Sequence, residues 1–232
     1  MSKPALILMA RSPIPAKSKT RLLPVLSPEQ TVELQYAFLE DLARILSKMD
    51  LATILYYLPS EDDSRLKSLF PFAHSFLEQK PADLGERMHY GLSHCLDMGF
   101  EKACLIGSDL PEMRADLLIE AFRFLDYKDA VLGPAKDGGY YLVGLKKAYS
   151  PLFQDKEYSH SHVFEEALES LNEGNLATHI LPALDDIDTP EDLVRLYKRI
   201  KGNNSSTARI LEEYDEFIKR SPRKSKSTRL SG

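Results

Sequence analysis

Compact apolar runs alternate along this chain with longer stretches in which apolar residues return every three or four positions. The compact runs cover 5–10, 52–58, 103–107, 130–133, 140–145 and 178–181. Runs that are apolar throughout, rather than at every second position, suit strands buried on both faces of a sheet. The longer stretches predict helices over 28–49, 84–98, 114–125, 162–172 and 190–200. In the first, Leu34, Phe38, Leu42, Ile45 and Met49 share one face. Its start is marked by Ser27 as N-cap, Pro28 in the first turn and Gln30 closing a capping box. The run Thr189-Pro190-Glu191-Asp192 marks the last helix in the same way. Strand and helix in alternation predict an α/β domain around a mostly parallel sheet. In such sheets ligands bind where the strands end, so the loops after strands carry the candidate chemistry.

With 232 residues, the chain is long enough to bury a full core without disulfides or a structural metal. One domain is expected over 1–201. The remainder, 202–232, reads as a linker at Asn203-Asn204-Ser205-Ser206, a further helix over 207–219 and a basic, disordered end. That tail is expected to be dispensable for folding. The longest apolar runs are too short to span a bilayer, and no signal peptide is evident. Two cysteines, Cys95 and Cys104, sit in apolar surroundings, so a reducing cytoplasm is the expected compartment. The formal charge of −5 hides an asymmetry. Six cations and no acid occupy 219–232, which leaves −11 for the rest. An acidic body argues against a general nucleic-acid binder.

The glycines exclude several familiar sites. No two are separated by two positions, so a G-x-G-x-x-G dinucleotide fingerprint is absent. The pairs 133/138 and 139/144 have phosphate-loop spacing but lack its lysine, and no G-x-S-x-G is present. Four other segments carry the candidate chemistry. After the first strand, Arg11, Lys17, Lys19 and Arg21 cluster with no acid before Glu29. The expectation is four cations without a local partner, suited to a polyanion such as a diphosphate. At the end of the third compact run, Ile106-Gly107-Ser108-Asp109-Leu110-Pro111 sets a carboxylate at the ligand edge, where a hard cation takes oxygen ligands. Helix capping is the alternative use of Asp109. Asp137-Gly138-Gly139-Tyr140 reads either as a hairpin turn or as a place where a ligand approaches the backbone and Asp137 bonds a hydroxyl. Asp185, Asp186 and Asp188 crowd before the last helix, and like charges repel there unless a cation is present. His160 and His162 lack a third ligand and read as structural or solvent-facing.

In this order, Ala10-Arg11…Lys17-Ser18-Lys19-Thr20-Arg21-Leu22, Leu84-Gly85-Glu86-Arg87-Met88, Ile106–Pro111, Asp137–Gly144 and Asp186–Leu193 resemble a GT-A-fold glycosyltransferase family of uncharacterised bacterial proteins, known by a domain of unknown function. The resemblance spans roughly residues 5–200. The family is similar to nucleotide-diphospho-sugar transferases and, more distantly, to 2-phospholactate guanylyltransferase and molybdenum-cofactor nucleotidyltransferases.

The resemblance implies a three-layer α/β/α domain. It implies nucleotide binding by Ala10, Arg11, Lys17, Lys19, Arg21, Gly85, Arg87 and Ser108, and substrate binding by Asp137, Gly138, Gly139 and Tyr140. Asp109 and Asp188 are implied as catalytic residues and ligands of Mg²⁺ or Mn²⁺. With Gly107 in place of an acid, the D-x-D pair of many glycosyltransferases is reduced to Asp109, which is nearer the nucleotidyltransferase pattern. The implied activity is metal-dependent glycosyl transfer from a nucleotide-diphospho-sugar to a small-molecule acceptor. Nucleotidyl transfer from NTP to a phosphorylated small molecule is the alternative, and a non-catalytic nucleotide-binding protein is the third reading. No specific nucleic-acid partner and no membrane span are expected.

Overall fold

The computed structural model describes residues 4–80, 82–158 and 160–214. Seven strands form one sheet: β1 (Ala5–Arg11), β2 (Ala52–Leu58), β3 (Ser75–Glu78), β4 (Ala103–Ile106), β5 (Ala130–Pro134), β6 (Tyr140–Leu145) and β7 (Thr178–Ile180). Their order is β3-β2-β1-β4-β6-β5-β7. Only β6 runs against its neighbours, pairing antiparallel with both β4 and β5. The helices are α1 (Pro28–Leu46), α2 (Ser64–Ser68), α3 (Leu84–Asp97), α4 (Ala115–Phe124), α5 (Val163–Glu173), α6 (Pro190–Ile200) and α7 (Ser206–Glu213). The mostly parallel, three-layer α/β/α arrangement follows the apolar pattern. β3 and α2 escape that pattern because both are short; β3 is a four-residue edge strand whose exposure alternates.

Successive residues of β1 serve opposite faces. Leu6, Leu8 and Ala10 pack under α1 and α4, while Ala5 and Ile7 pack against α3 and α5. Both faces are therefore dry, as continuous apolar strands require. A third cluster lies on the outer side of α1, where Leu22, Leu34 and Phe38 meet Leu193, Leu196, Ala208 and Leu211. So α1 is not a surface helix with one apolar stripe: it is covered on both sides.

The last of those covers corrects, for Ser206–Glu213, the reading of the stretch after 202 as dispensable for folding. α7 docks on α1, and Asp41 of α1 supplies its N-terminus. The buried Asp41 carboxylate accepts bonds from the Ser206 and Thr207 amides at 2.7 and 2.9 Å and from Thr207 Oγ1 at 2.6 Å. Ser205 caps the next amide, and Arg44 pairs with Asp41 at 3.1 Å. An anion is well placed at exposed helix N–H groups, and the geometry explains an aspartate inside an otherwise apolar helix. Residues 215–219 of the predicted helix, and the basic end after them, lie outside the described residues. Asp41→Ala is expected to destabilise the protein by about 2 kcal/mol, the scale for losing a buried charged acceptor with its cap. Urea denaturation monitored by circular dichroism measures it; an unchanged midpoint would mean α7 adds nothing to the fold.

Candidate active site

The carboxyl ends of β1, β4 and β2 open onto a cleft of about 530 Å³. Arg11 leaves β1, Gly107, Ser108 and Asp109 leave β4, and the β5–β6 hairpin closes the far wall with Asp137, Gly139 and Tyr140. A smaller recess of about 180 Å³ adjoins it, lined by Arg11, Lys17, Lys19, Arg21, Gln35, Asp109 and Asp188.

The loop after β1 is held in place rather than waving in solvent. Ser18 is 1% exposed and its hydroxyl accepts from the Ile14 amide at 2.9 Å. Ala16 and Lys19 adopt left-handed backbone, φ 59° and 47°, and Leu22 anchors the following turn in the third core cluster. Non-glycine residues in that region are uncommon and need a surrounding structure that fixes them.

Folding then gives two of the four loop cations partners that local sequence does not show. The Lys19 side chain, 5% exposed, lies between Asp109 Oδ2 at 3.1 Å and Asp188 Oδ1 at 3.2 Å, and donates to the Ile187 carbonyl at 2.7 Å. Arg21 Nη1 reaches Asp188 Oδ2 at 3.0 Å. None of the four has a local partner; among the described residues Arg11 and Lys17 have no carboxylate partner at all, while Lys19 and Arg21 find carboxylates some 90 and 170 positions away. Burial by itself lowers the pKa of Lys19, but the two aspartates outweigh it and hold the ammonium above its ordinary value.

Capping does not explain Asp109. The next helix starts at Ala115 with Arg114 as N-cap, whereas Asp109 turns to Lys19 and to Gln35 Nε2, which donates to Oδ1 at 3.1 Å. The acids before α6 divide their labour. Asp192 closes the capping box with Thr189, and Asp185 pairs with Lys136 and Arg199 at 3.0 and 3.1 Å. Asp188 is left for Lys19 and Arg21. Asp186 lines the cleft, its carboxyl raised above the usual range by burial and by the nearby charge of Asp137.

The β5–β6 connection is a hairpin in which Asp137 Oδ1 accepts from the Gly139 amide at 2.9 Å, as the turn reading of that segment expects. Gly138 and Gly85 do not line the cleft. Gly138 has φ 97°, and a Cβ there would sit 1.9 Å from the Ser161 carbonyl oxygen; its own carbonyl accepts from the Phe164 amide at the start of α5. A Cβ on Gly85 would meet the Phe153 carbonyl at 2.3 Å. These glycines permit close packing behind the cleft. His160 and His162 pair with Glu166 and Glu165 around the start of α5.

Sequence reasoning passed over three polar residues. Gln79, 5% exposed, ties itself to the Tyr56 carbonyl at 2.7 Å and accepts from Arg87 at 3.2 Å, aiming that guanidinium into the cleft. Gln35 sits in the middle of α1, and Tyr158 comes from the segment before α5. A lone glutamine or tyrosine carries no local signal; only its position reveals it.

The fold is that of the GT-A-like nucleotidyl and sugar transferases, and the protein is a transferase. The chain belongs to the family described as uncharacterized protein conserved in bacteria (DUF2064), whose model matches residues 41–160. It is 32% identical to a structure from Desulfovibrio desulfuricans G20 with the provisional designation nucleotide-diphospho-sugar transferase. That match covers 94% of this chain and 98% of the other, with a TM-score of 0.88. It is 25% identical to 2-phospho-L-lactate guanylyltransferase of Methanocaldococcus infernus, over 91% of this chain and 92% of the relative. A cytidylyltransferase from Leptospira borgpetersenii, 13% identical, shares the fold with a TM-score of 0.60 over 96% of this chain and 99% of the other. No helix among the described residues is long and apolar enough to cross a membrane.

Proposed function

We propose that this protein is a metal-dependent transferase that takes a nucleotide-activated donor, transferring the glycosyl group of a nucleotide-diphospho-sugar. The observation that carries the reading is the convergence of Asp109 and Asp188, from segments far apart in the sequence, on one cation, the Lys19 ammonium, at the mouth of the cleft. Two carboxylates about 40% exposed fit Mg²⁺ or Mn²⁺, which takes one or two protein carboxylates and fills its remaining positions with water and phosphate oxygens. Bound there, the ion would offset the charge of the phosphates as the leaving group departs.

The chain's own groups do the rest. Among the described residues Arg11 and Lys17 have no carboxylate partner, and they line the recess, where they would bind phosphate oxygens without first breaking an ion pair. Lys19 holds the two aspartates together and presents a buried ammonium to the same phosphates. Ala10 and Ser108 offer a close backbone approach beside them, and Arg87 closes the nucleotide end. Asp137, Gly139 and Tyr140 form the wall facing the transferred group.

Nucleotidyl transfer uses the same loop and the same acids, and the guanylyltransferase relatives match over nearly the whole chain, which favours it as the second reading. The products separate the two. Nucleoside diphosphate is released by glycosyl transfer, pyrophosphate by nucleotidyl transfer, and coupled assays for each, run with NDP-sugars and NTPs, decide the matter. Arg11→Ala is expected to weaken nucleotide binding about tenfold, the scale of one lost charge-assisted contact, with an unchanged melting temperature. Equal affinity by calorimetry for wild type and variant would remove Arg11 from the donor site.

A further inference from the structure

Three polar side chains lie in the interior of α1: Thr31, Gln35 and Asp41. Two are explained by the fold. Thr31 donates to the Pro28 carbonyl at 2.7 Å, and Asp41 caps α7. Gln35 is different. It is 6% exposed and, among the described residues, its Nε2 makes one bond, to Asp109 Oδ1, and its Oε1 is buried with no partner. A buried polar atom left unpaired is costly, so as a packing element Gln35 is a poor choice; an apolar residue of like size would serve better. Its one bond goes to the carboxylate at the end of β4.

We infer that Gln35 is a positioning residue for Asp109: by fixing Oδ1 it turns Oδ2 towards Asp188 and the recess. The inference rests on the metal-site reading above. Each oxygen of Asp109 has a separate holder, Gln35 on Oδ1 and Lys19 on Oδ2. Were a cation to share Oδ2 with Lys19, Gln35 would keep the carboxylate from rotating away. Groups that orient a metal-binding carboxylate in this way typically change metal affinity 10- to 100-fold when removed. Such violations of ordinary packing rules concentrate at functional sites.

Stability and metal binding should therefore part company. Gln35→Leu and Gln35→Met both remove the donor and the unpaired oxygen at similar volume. Their melting temperatures, measured without metal, are expected to equal or exceed that of the wild type. Their affinity for Mn²⁺ alone, followed by electron paramagnetic resonance of the free ion, is expected to fall at least tenfold. A lower melting temperature with unchanged Mn²⁺ affinity would assign Gln35 to the core and overturn the proposal. So would unchanged values of both. If one variant fails to fold, the other decides. Wild-type protein that binds no Mn²⁺ would instead sink the metal site itself, and this proposal along with it.

Discussion

Asp109→Asn is expected to lower turnover by about a thousandfold while leaving the fold intact, and Asp188→Asn to behave the same way. The amide keeps the shape of the carboxylate, and its one oxygen can still accept from Lys19 or from Gln35, though not from both, so packing around the β4 end survives. What is lost is charge. A hard cation bound by only two protein carboxylates depends on both, and preorganised charge at a transferring phosphoryl or glycosyl group contributes several kcal/mol to catalysis. Neither side chain caps a helix, so the asparagine variants have no cap to retain or lose. Calorimetric titration of nucleotide with and without Mn²⁺ on all three proteins is the check. An equal enhancement by Mn²⁺ in all three would remove the metal from the mechanism.

Lys19→Met is expected to harm both stability and donor binding. It deletes the cation shared by Asp109 and Asp188 and leaves two carboxylates facing each other. Losing one partner of a buried pair costs about 3–5 kcal/mol, but these aspartates are some 40% exposed and water screens them, so about 2 kcal/mol is expected. Donor affinity should fall about tenfold or more, as for any lost charge-assisted phosphate contact. The pH dependence has a definite sign. The folded pKa of Lys19 lies above its ordinary 10.5, so its contribution is complete below that value and is lost as pH rises through the folded pKa. The wild type should therefore lose more stability than Lys19→Met on the alkaline side of 10.5. Parallel curves of unfolding free energy against pH for the two proteins would contradict the buried ion pair.

Much of this architecture was legible in the order of residues. Strands buried on both faces need continuous apolar runs, and 52–58 and 140–145 coincide with β2 and β6. Local capping chemistry gave the starts of α1 and α6, because a capping box is satisfied within four residues. The site residues that follow a strand, Arg11, Asp109 and Asp137, could be named because parallel sheets present their ligands at strand ends. Tertiary structure alone decided which charges meet. Lys19 reads as an unpartnered loop cation until β4 and the 184–188 segment arrive beside it. Nothing near Asp41 in sequence shows that it meets the start of α7. Gln35 carries no local signal at all. Hydrophobic period is a property of neighbours in sequence, whereas an ion pair or a buried hydrogen bond is fixed by which distant elements the sheet order brings together.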